Sequence, residues 1–242
     1  MSQAIHPQQV RALPRLSSLL GRGLARLVDA VALYLAKPAK QCRAATAVDT
    51  QALCAMLRHG DVLLADGNTH MAAIVRRLTR SPWSHVAMYV GPLEDGPDPR
   101  CIVEADVADG VRAVPLSAFQ GQRVRVLRAT GLDDADRRRL ADWVVRRIGA
   151  EYDRAHAWGL ARRLLGLQLA PRSPAASSTM AQGATRFICS SLLAQAFLLV
   201  GYQIVPIHLG VRDTWAADHR YVTPRDFESA SGFEVVRATK VD

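Results

Sequence analysis

The sequence predicts an α+β fold in which a mainly antiparallel sheet packs against helices. The chain has 242 residues, of which 49% are hydrophobic and 22% are charged, so it can bury a core and is not a disordered polypeptide. Short apolar runs separated by clusters of Gly, Pro and Asp follow one another over residues 61–127, which is typical of neighbouring antiparallel strands. Apolar residues at helical spacing precede and follow this region. We therefore expect one domain over residues 51–242.

A basic segment, residues 1–50, precedes that domain and is expected to be an extension. Over residues 16–36 apolar side chains recur every three or four positions and arginines occupy the opposite face, which predicts an amphipathic helix. The extension has seven Lys or Arg and two Asp or Glu, so it carries +5 of the net charge of +9. Such a helix, with bases between residues 11 and 40, is typical of one that binds an anionic membrane surface. Docking on its own domain explains the pattern equally well.

Composition and spacing argue against several classes of protein. Aromatic residues make up only 6% of the chain, and the arginines at 137–139 lie beside aspartates, so a nucleic-acid-binding protein is not expected. The four cysteines have no Cys-x-x-Cys spacing, which favours a reducing compartment over a zinc site or a disulfide framework. The apolar run 27–36 contains Asp29 and leads into Lys and Pro, unlike an export signal. We expect a cytoplasmic protein without metal or cofactor, peripheral on the inner membrane surface if the extension binds lipid.

The first half of the domain is expected to begin with a helix, a strand and a second helix, and then to continue as a series of strands. A short helix over 51–58 precedes a strand over 61–65, which follows the turn residue Gly60. A helix is expected over 69–79, because its apolar residues share one face. The apolar runs that follow predict strands at 85–90, 101–105, 111–114 and 123–127.

The second half is expected to be mainly helical. Asp133 is a typical N-cap for a long helix over 133–148. The uncharged stretch 187–211 is interpreted as a buried helix over 189–200 that ends at Gly201, because polar residues interrupt it too often for a membrane span. The remaining predictions are a helix over 154–165, a loop rich in Pro and Ser over 168–186, a strand over 202–205, a helix beginning at Thr223 and a strand over 233–238.

Three residues predict chemistry when they are taken together. Cys189 lies at the start of a predicted helix, where unpaired N–H groups and the helix dipole lower the pKa of a thiol. His85 begins an apolar strand and can present its ring at the edge of a sheet. Glu104 lies within an apolar strand, where a carboxylate needs a partner, either a histidine or one of the many arginines. Each residue alone also has an ordinary structural interpretation. The cysteine can be buried and inert, the histidine can be solvated, and the glutamate can belong to a structural ion pair.

Seven short motifs, in order along residues 55–240, resemble those of one family. They occupy residues 60–64, 81–89, 103–105, 110–111, 149–153, 187–192 and 223–227. The set is similar to that of the permuted papain-like cysteine hydrolases, the YiiX/YebB-like branch of the NlpC superfamily. The resemblance implies a circularly permuted papain-like fold, an antiparallel sheet or barrel packed against helices. In that family the histidine and the acid precede the cysteine along the chain, as they do here.

The resemblance also implies roles for individual residues. Cys189 would be the nucleophile, His85 the general base and Glu104 the acid that orients the histidine. Residues expected to support the site are Tyr152, Ser84 and Asp61. The family commonly reads Cys-Ser-Glu-Leu at the nucleophile, whereas Ser191 stands here in place of the glutamate. This departure implies altered support of the site and not loss of chemistry.

The strand that carries Glu104 offers a second acid, Asp106, on the same face. Asp106 lies next to a polar stretch, where a solvated carboxylate costs little. Glu104 lies deeper, between apolar neighbours, where an unpaired charge is expensive. Glu104 is therefore expected to be the acid that orients His85.

The resemblance implies acyl transfer through a Cys-His-Glu triad and a thioester acyl-enzyme. The reaction would be that of an amidase or peptidase, or of a lipid acyl hydrolase or transferase. Related enzymes cut peptide amides of cell walls, while relatives of lecithin:retinol acyltransferase act on lipid esters. The basic extension slightly favours a lipid or acyl substrate at the inner membrane surface. The alternative is a non-catalytic, membrane-associated lipid-binding protein of the same fold.

Overall fold

The computed structural model describes residues 50–154, 156–157, 186–204 and 222–236, together with Lys37. The predicted helix over 16–36 and most of the predicted loop over 168–186 and of the predicted helix over 154–165 lie outside the described residues. These three elements, and the boundary between extension and domain at residue 51, therefore stay predictions.

Most elements predicted within the described ranges are present, with ends that differ from the prediction by at most three residues. The helices are α1 (Thr50–Met56), α2 (His70–Thr79), α3 (Asp134–Val145), α4 (Cys189–Leu199) and α5 (Pro224–Ser229). The strands are β1 (Val62–Ala65), β2 (His85–Tyr89), β3 (Arg100–Asp106), β4 (Gly110–Pro115), β5 (Val124–Ala129), β6 (Glu151–Tyr152), β7 (Arg186–Phe187) and β8 (Phe233–Val236). A 3-10 turn that the sequence did not predict covers Leu116–Phe119.

Six of these strands form one antiparallel sheet in the order β4-β3-β2-β1-β5-β8. Strand β1 lies between β2 and β5, and all four of its residues are buried, as is typical of a strand covered on both faces. Strand β3 lies between β2 and β4, so one of its side chains can contact both neighbours. The predicted α+β class, an antiparallel sheet with helices packed against it, is confirmed.

Each face of the sheet has its own apolar core. On one face α4 packs on β2 and β3 and against α3, and it buries Leu192 and Phe197 completely. On the other face α1 and the 3-10 turn pack over Leu63 and Ile102. The helix predicted over 189–200 is thus a core helix, because most of its side chains are buried. No helix in the described part of the chain is long and apolar enough to cross a bilayer.

The strand predicted over 202–205 is wrong for its described residues, 202–204. Gly201 has a φ of +72° and ends α4, as predicted. Tyr202 then donates its backbone N–H to the carbonyl oxygen of Phe197 at 2.9 Å. Its ring packs against Phe197 and Phe233, with centroids 5.4 and 5.5 Å apart. Aromatic packing at the helix end therefore overrides the strand propensity of this segment.

A short parallel ladder between β6 and β7 is a further element that the sequence did not predict. It pairs Glu151 with Arg186 and Tyr152 with Phe187. Strands of two residues carry too little alternation to be recognised in a sequence. The ladder has a consequence for the site, because it holds Tyr152 beside the residues that lead into α4.

Candidate active site

His85 is the first residue of β2 and lies opposite Ala65, the last residue of β1. The preceding residue, Ser84, donates its backbone N–H to the Ala65 carbonyl oxygen at 3.0 Å, and this bond fixes the backbone next to His85. The His85 side chain is 23% exposed and lines a cavity. The imidazole is therefore anchored by the sheet and accessible from one side.

Glu104 lies in the middle of β3 and is buried. Its Oε2 atom lies 2.8 Å from Nε2 of His85. Its Oε1 atom accepts hydrogen bonds from Nε and Nη2 of Arg112, at 3.0 and 2.9 Å. The sequence left a histidine and an arginine open as partners of this carboxylate, and the structure places one on each oxygen.

Cys189 is the first residue of α4, and the residue before it, Ile188, is the extended N-cap. The His85 side chain and the backbone N–H groups of Val86 and Ser190 lie near enough to the sulfur to lower the pKa of the Cys189 thiol. Since Glu104 occupies Nε2 of the imidazole, Nδ1 is the ring nitrogen left for the sulfur. The structure thus brings together the three residues that the sequence singled out for chemistry.

Ser191 explains how α4 begins without the glutamate that the resemblance leads one to expect. Its Oγ accepts the backbone N–H of Ile188 at 3.1 Å, which is the bond that a residue at the third helical position makes in a capping box. The hydroxyl also lies 3.2 Å from the Ile188 carbonyl oxygen, to which it donates. Ser191 is buried, so these bonds satisfy it and fix the helix start that carries Cys189.

The three side chains change one another's pKa values. Burial opposes the charge on His85, but hydrogen bonds to Cys189 and Glu104 outweigh burial and raise the pKa of the imidazole well above 6.5. Burial likewise opposes a thiolate at Cys189, yet the hydrogen bond and charge of His85 lower the pKa of the thiol. Burial alone would raise the pKa of Glu104, whereas His85 and Arg112 lower it to about 2. Each of these shifts favours the charged form of its group, a thiolate at Cys189, an imidazolium at His85 and a carboxylate at Glu104.

A cavity of about 320 Å³ opens beside these residues. His85, Glu104 and Cys189 contribute to its polar part. Helix α2 and the 3-10 turn supply an apolar wall, which consists of Met71, Ile74, Val75, Leu78 and Phe119. Ile74 is 42% exposed, so this part of the wall can be reached from solvent. The cavity therefore places a reactive polar end next to an apolar surface.

The residues predicted to support the site lie in different places. Tyr152 and Ser84 both line the cavity. Burial and the neighbouring Cys189 raise the pKa of the Tyr152 phenol, so it stays protonated and able to donate. Asp61 does not line the cavity, because it precedes β1 at the end away from Ala65. It is fully buried and accepts from Arg128 at 2.8 and 2.6 Å, an ion pair that braces the sheet.

Tyr152 reaches the cavity because β4 and the chain before β6 approach each other closely. Val111 donates its backbone N–H to the Ala150 carbonyl oxygen at 2.8 Å. Gly110 has a φ of +74°, and a Cβ atom there would collide with the same oxygen. The glycine of this motif thus permits the contact that positions Tyr152.

Arg112 is a residue of the site that the sequence reasoning missed. It lies on β4 directly across from Glu104. The signal was present, since the two residues are equally distant from the turn that joins β3 to β4. In an antiparallel hairpin such residues face each other, and opposite charges at facing positions attract.

The described residues offer no donor set that is typical of a metal centre. No three His, Cys, Asp or Glu side chains in the described ranges are grouped so that they could hold an ion. His85 and Glu104 are instead bonded to each other.

Comparisons with known proteins agree with this architecture. Residues 56–163 match the family of permuted papain-like amidase enzymes called YaeF/YiiX, C92, a stretch that contains His85 and Glu104 and ends before Cys189. The crystal structure of YiiX from Escherichia coli O157:H7, described as a metalloprotein, superposes with a TM-score of 0.51 at 19% identity and covers 76% of this chain and 98% of that chain. No curated protein matches the sequence. The family predicted from the motifs is therefore confirmed over residues 56–163, which match the permuted papain-like amidase family of YaeF and YiiX, and the solved structure of YiiX supports the same fold for the chain.

Proposed function

We propose that this protein is a cysteine-dependent amidase in which Cys189 is the nucleophile, His85 the general base and acid, and Glu104 the group that orients the imidazole. The observation that carries the proposal is a single imidazole whose Nε2 lies 2.8 Å from a buried carboxylate and which lines the same cavity as the Cys189 sulfur. This is the arrangement that an activated thiol requires. The family match supports hydrolysis by cysteine and favours an amide as the scissile bond.

In the first half of the reaction the Cys189 thiolate attacks the carbonyl carbon of the substrate. The carbonyl π electrons move to oxygen, and N–H groups of the first turn of α4, which have no acceptor within the helix, stabilise the resulting oxyanion. When the oxyanion collapses, the bond to the amine breaks and the His85 imidazolium protonates the leaving nitrogen. The products of this half are a free amine, a neutral imidazole and a thioester on Cys189.

In the second half a water molecule replaces the amine. Neutral His85 takes a proton from the water as the oxygen attacks the thioester carbonyl carbon. Collapse of the second tetrahedral intermediate releases the acid and returns the electron pair to sulfur. The imidazolium keeps its proton beside Glu104, so the starting ion pair is restored.

We further propose that the acyl part of the substrate is apolar and lies along the wall formed by α2. The apolar wall and Cys189 line the same cavity, so an acyl group bound to the sulfur can lie along the wall. That wall also supports a second candidate function, binding of a lipid without catalysis. The two functions differ in whether a covalent bond to Cys189 forms.

An acyl-enzyme is the expected result when the protein is mixed with N-acyl amino-acid amides and fatty-acyl esters and quenched in acid. Intact-mass spectrometry should show a gain equal to one acyl group on Cys189, because acylation precedes hydrolysis. Neutral hydroxylamine should remove it, since thioesters are cleaved by that nucleophile. Cys189→Ala should show no adduct. Tight non-covalent binding without any adduct would favour the lipid-binding protein, and an adduct on another residue would show that the nucleophile is misassigned.

Replacing Ile74 with asparagine is expected to lower kcat/KM for a long-chain acyl substrate by about tenfold, because losing apolar contact worth ~1.4 kcal/mol changes a rate constant tenfold. A short acetyl substrate should be affected much less. The matched control is Arg77→Asn, which places the same residue on an exposed position of the same helix turn outside the cavity lining. Equal losses in both variants would mean that helix stability, and not the apolar wall, is responsible.

A further inference from the structure

We propose that Arg112 is a positioning residue for the reaction: it fixes the Glu104 carboxylate so that Oε2 faces His85. The inference rests on the proposed function, in which Glu104 orients the imidazole. It assigns a role to a residue that neither the motifs nor the comparisons single out.

The order of the strands makes this role available. Strand β3 lies between β2, which carries His85, and β4, which carries Arg112. Glu104 faces Arg112 directly across the ladder and faces Ala87 on the other side. Its carboxylate therefore lies between the imidazole and the guanidinium, with one oxygen for each.

Arg112 holds that carboxylate with two donors at once. Nε and Nη2 both lie within 3.0 Å of Oε1. The terminal torsion of a glutamate is broad, so a single bond from His85 would leave the carboxylate plane poorly fixed. A planar guanidinium with two donors on one oxygen removes that freedom. Arg112 is itself held, since Asp106 lies 3.3 Å from Nη2 and Asp109 binds Nη1.

The charges around Glu104 predict the direction in which the pKa of Glu104 changes when Arg112 is removed. Glu104 is paired with His85 from β2 and with Arg112 from β4, and Asp106 of its own strand binds the same guanidinium of Arg112. Without Arg112, burial still favours the protonated acid and only His85 opposes it, so the pKa of Glu104 must rise from about 2. A protonated Glu104 accepts poorly from the imidazolium. The orienting bond is then lost as the pH falls through that higher pKa.

The test follows the proton on Nε2 of His85 by NMR of isotopically labelled protein during an acid titration. In the wild type its hydrogen-bonded signal should persist until about pH 3, and the Glu104 carboxyl carbon should not titrate above that pH. In Arg112→Gln the signal should be lost at a pH about one to three units higher, the usual effect of an opposite charge at this distance. Arg112→Lys should recover part of the shift, because it restores the charge but not the two-donor fork.

The matched control is Arg100→Gln, which removes an arginine of β3 that is paired with Glu94 at 2.6 Å, away from the cavity. This variant should titrate like the wild type at His85. If Arg112→Gln lost thermal stability but kept the wild-type titration of His85, Arg112 would only brace the hairpin and the inference would be wrong. If the Glu104 carboxyl of the wild-type protein titrated near the ordinary pKa of a glutamate, that result alone would overturn the inference. A separate measurement tests the proposed function. If iodoacetamide does not alkylate Cys189 in the native protein, the proposed function is wrong.

Discussion

Iodoacetamide is expected to alkylate Cys189 near pH 6 about tenfold or more faster than Cys42, Cys54 or Cys101. An ordinary thiol, with a pKa near 8.5, is only about 0.3% thiolate at that pH. The pKa of Cys189 is lowered by His85, whereas burial raises the pKa of Cys101 to about 11. The gain in thiolate exceeds the loss of nucleophilicity that accompanies a lower pKa. Mass spectrometry of tryptic peptides after a short exposure measures all four rates in one sample.

The same experiment tests His85, because the imidazolium is the group that stabilises the thiolate. His85→Ala should lower the rate at Cys189 near pH 6 to about that of Cys54, which is an exposed free cysteine. At pH 9 the variant should regain reactivity, since the thiol then ionises without help. If all four cysteines react alike in the wild type, or if Cys189 reacts only in denaturant, Cys189 is not the nucleophile.

Glu104→Gln is expected to lower turnover by roughly one to four orders of magnitude, by analogy with the acid of a Ser-His-Asp triad. The substitution keeps the shape of the side chain and removes the charge that supports the His85 imidazolium. Since Glu104 helps to raise the pKa of His85, its loss must lower that pKa. The alkaline limb of the pH–rate profile, where His85 loses its proton, should therefore move to lower pH.

Asp106→Asn is the matched comparison, because Asp106 lies on the same strand and also contacts Arg112. One of its oxygens accepts the backbone N–H groups of Ala108 and Asp109 at 2.8 and 3.1 Å, and an asparagine oxygen can keep both bonds. Turnover should stay within about threefold of the wild type, as for most substitutions at partly exposed positions. A severe loss in Asp106→Asn together with a silent Glu104→Gln would show that Asp106 is the functional acid.

Regular elements with strong local patterns could be predicted from the sequence. Helix α2 and strands β1 to β5 each have a clear period of apolar residues, and Asp133 caps α3 as its type suggests, accepting the N–H of Asp136 at 2.8 Å. The predictions failed or were missing where long-range packing decides the conformation. Tyr202 packs in an aromatic cluster and not in a strand, and the ladder of β6 and β7 is too short to leave a pattern.

The sequence by itself determined the order of the chemical residues and the local setting of each one. Cys189 opens a helix, His85 opens a strand and Glu104 interrupts an apolar strand, and these are properties of neighbouring residues that a sequence displays. Only the tertiary structure decided that one Glu104 oxygen faces His85 and the other faces Arg112, and that Tyr152 lines the cavity while Asp61 does not. The physical reason is that strand order and the approach of β6 to β4 arise from contacts between distant segments, which no local pattern encodes.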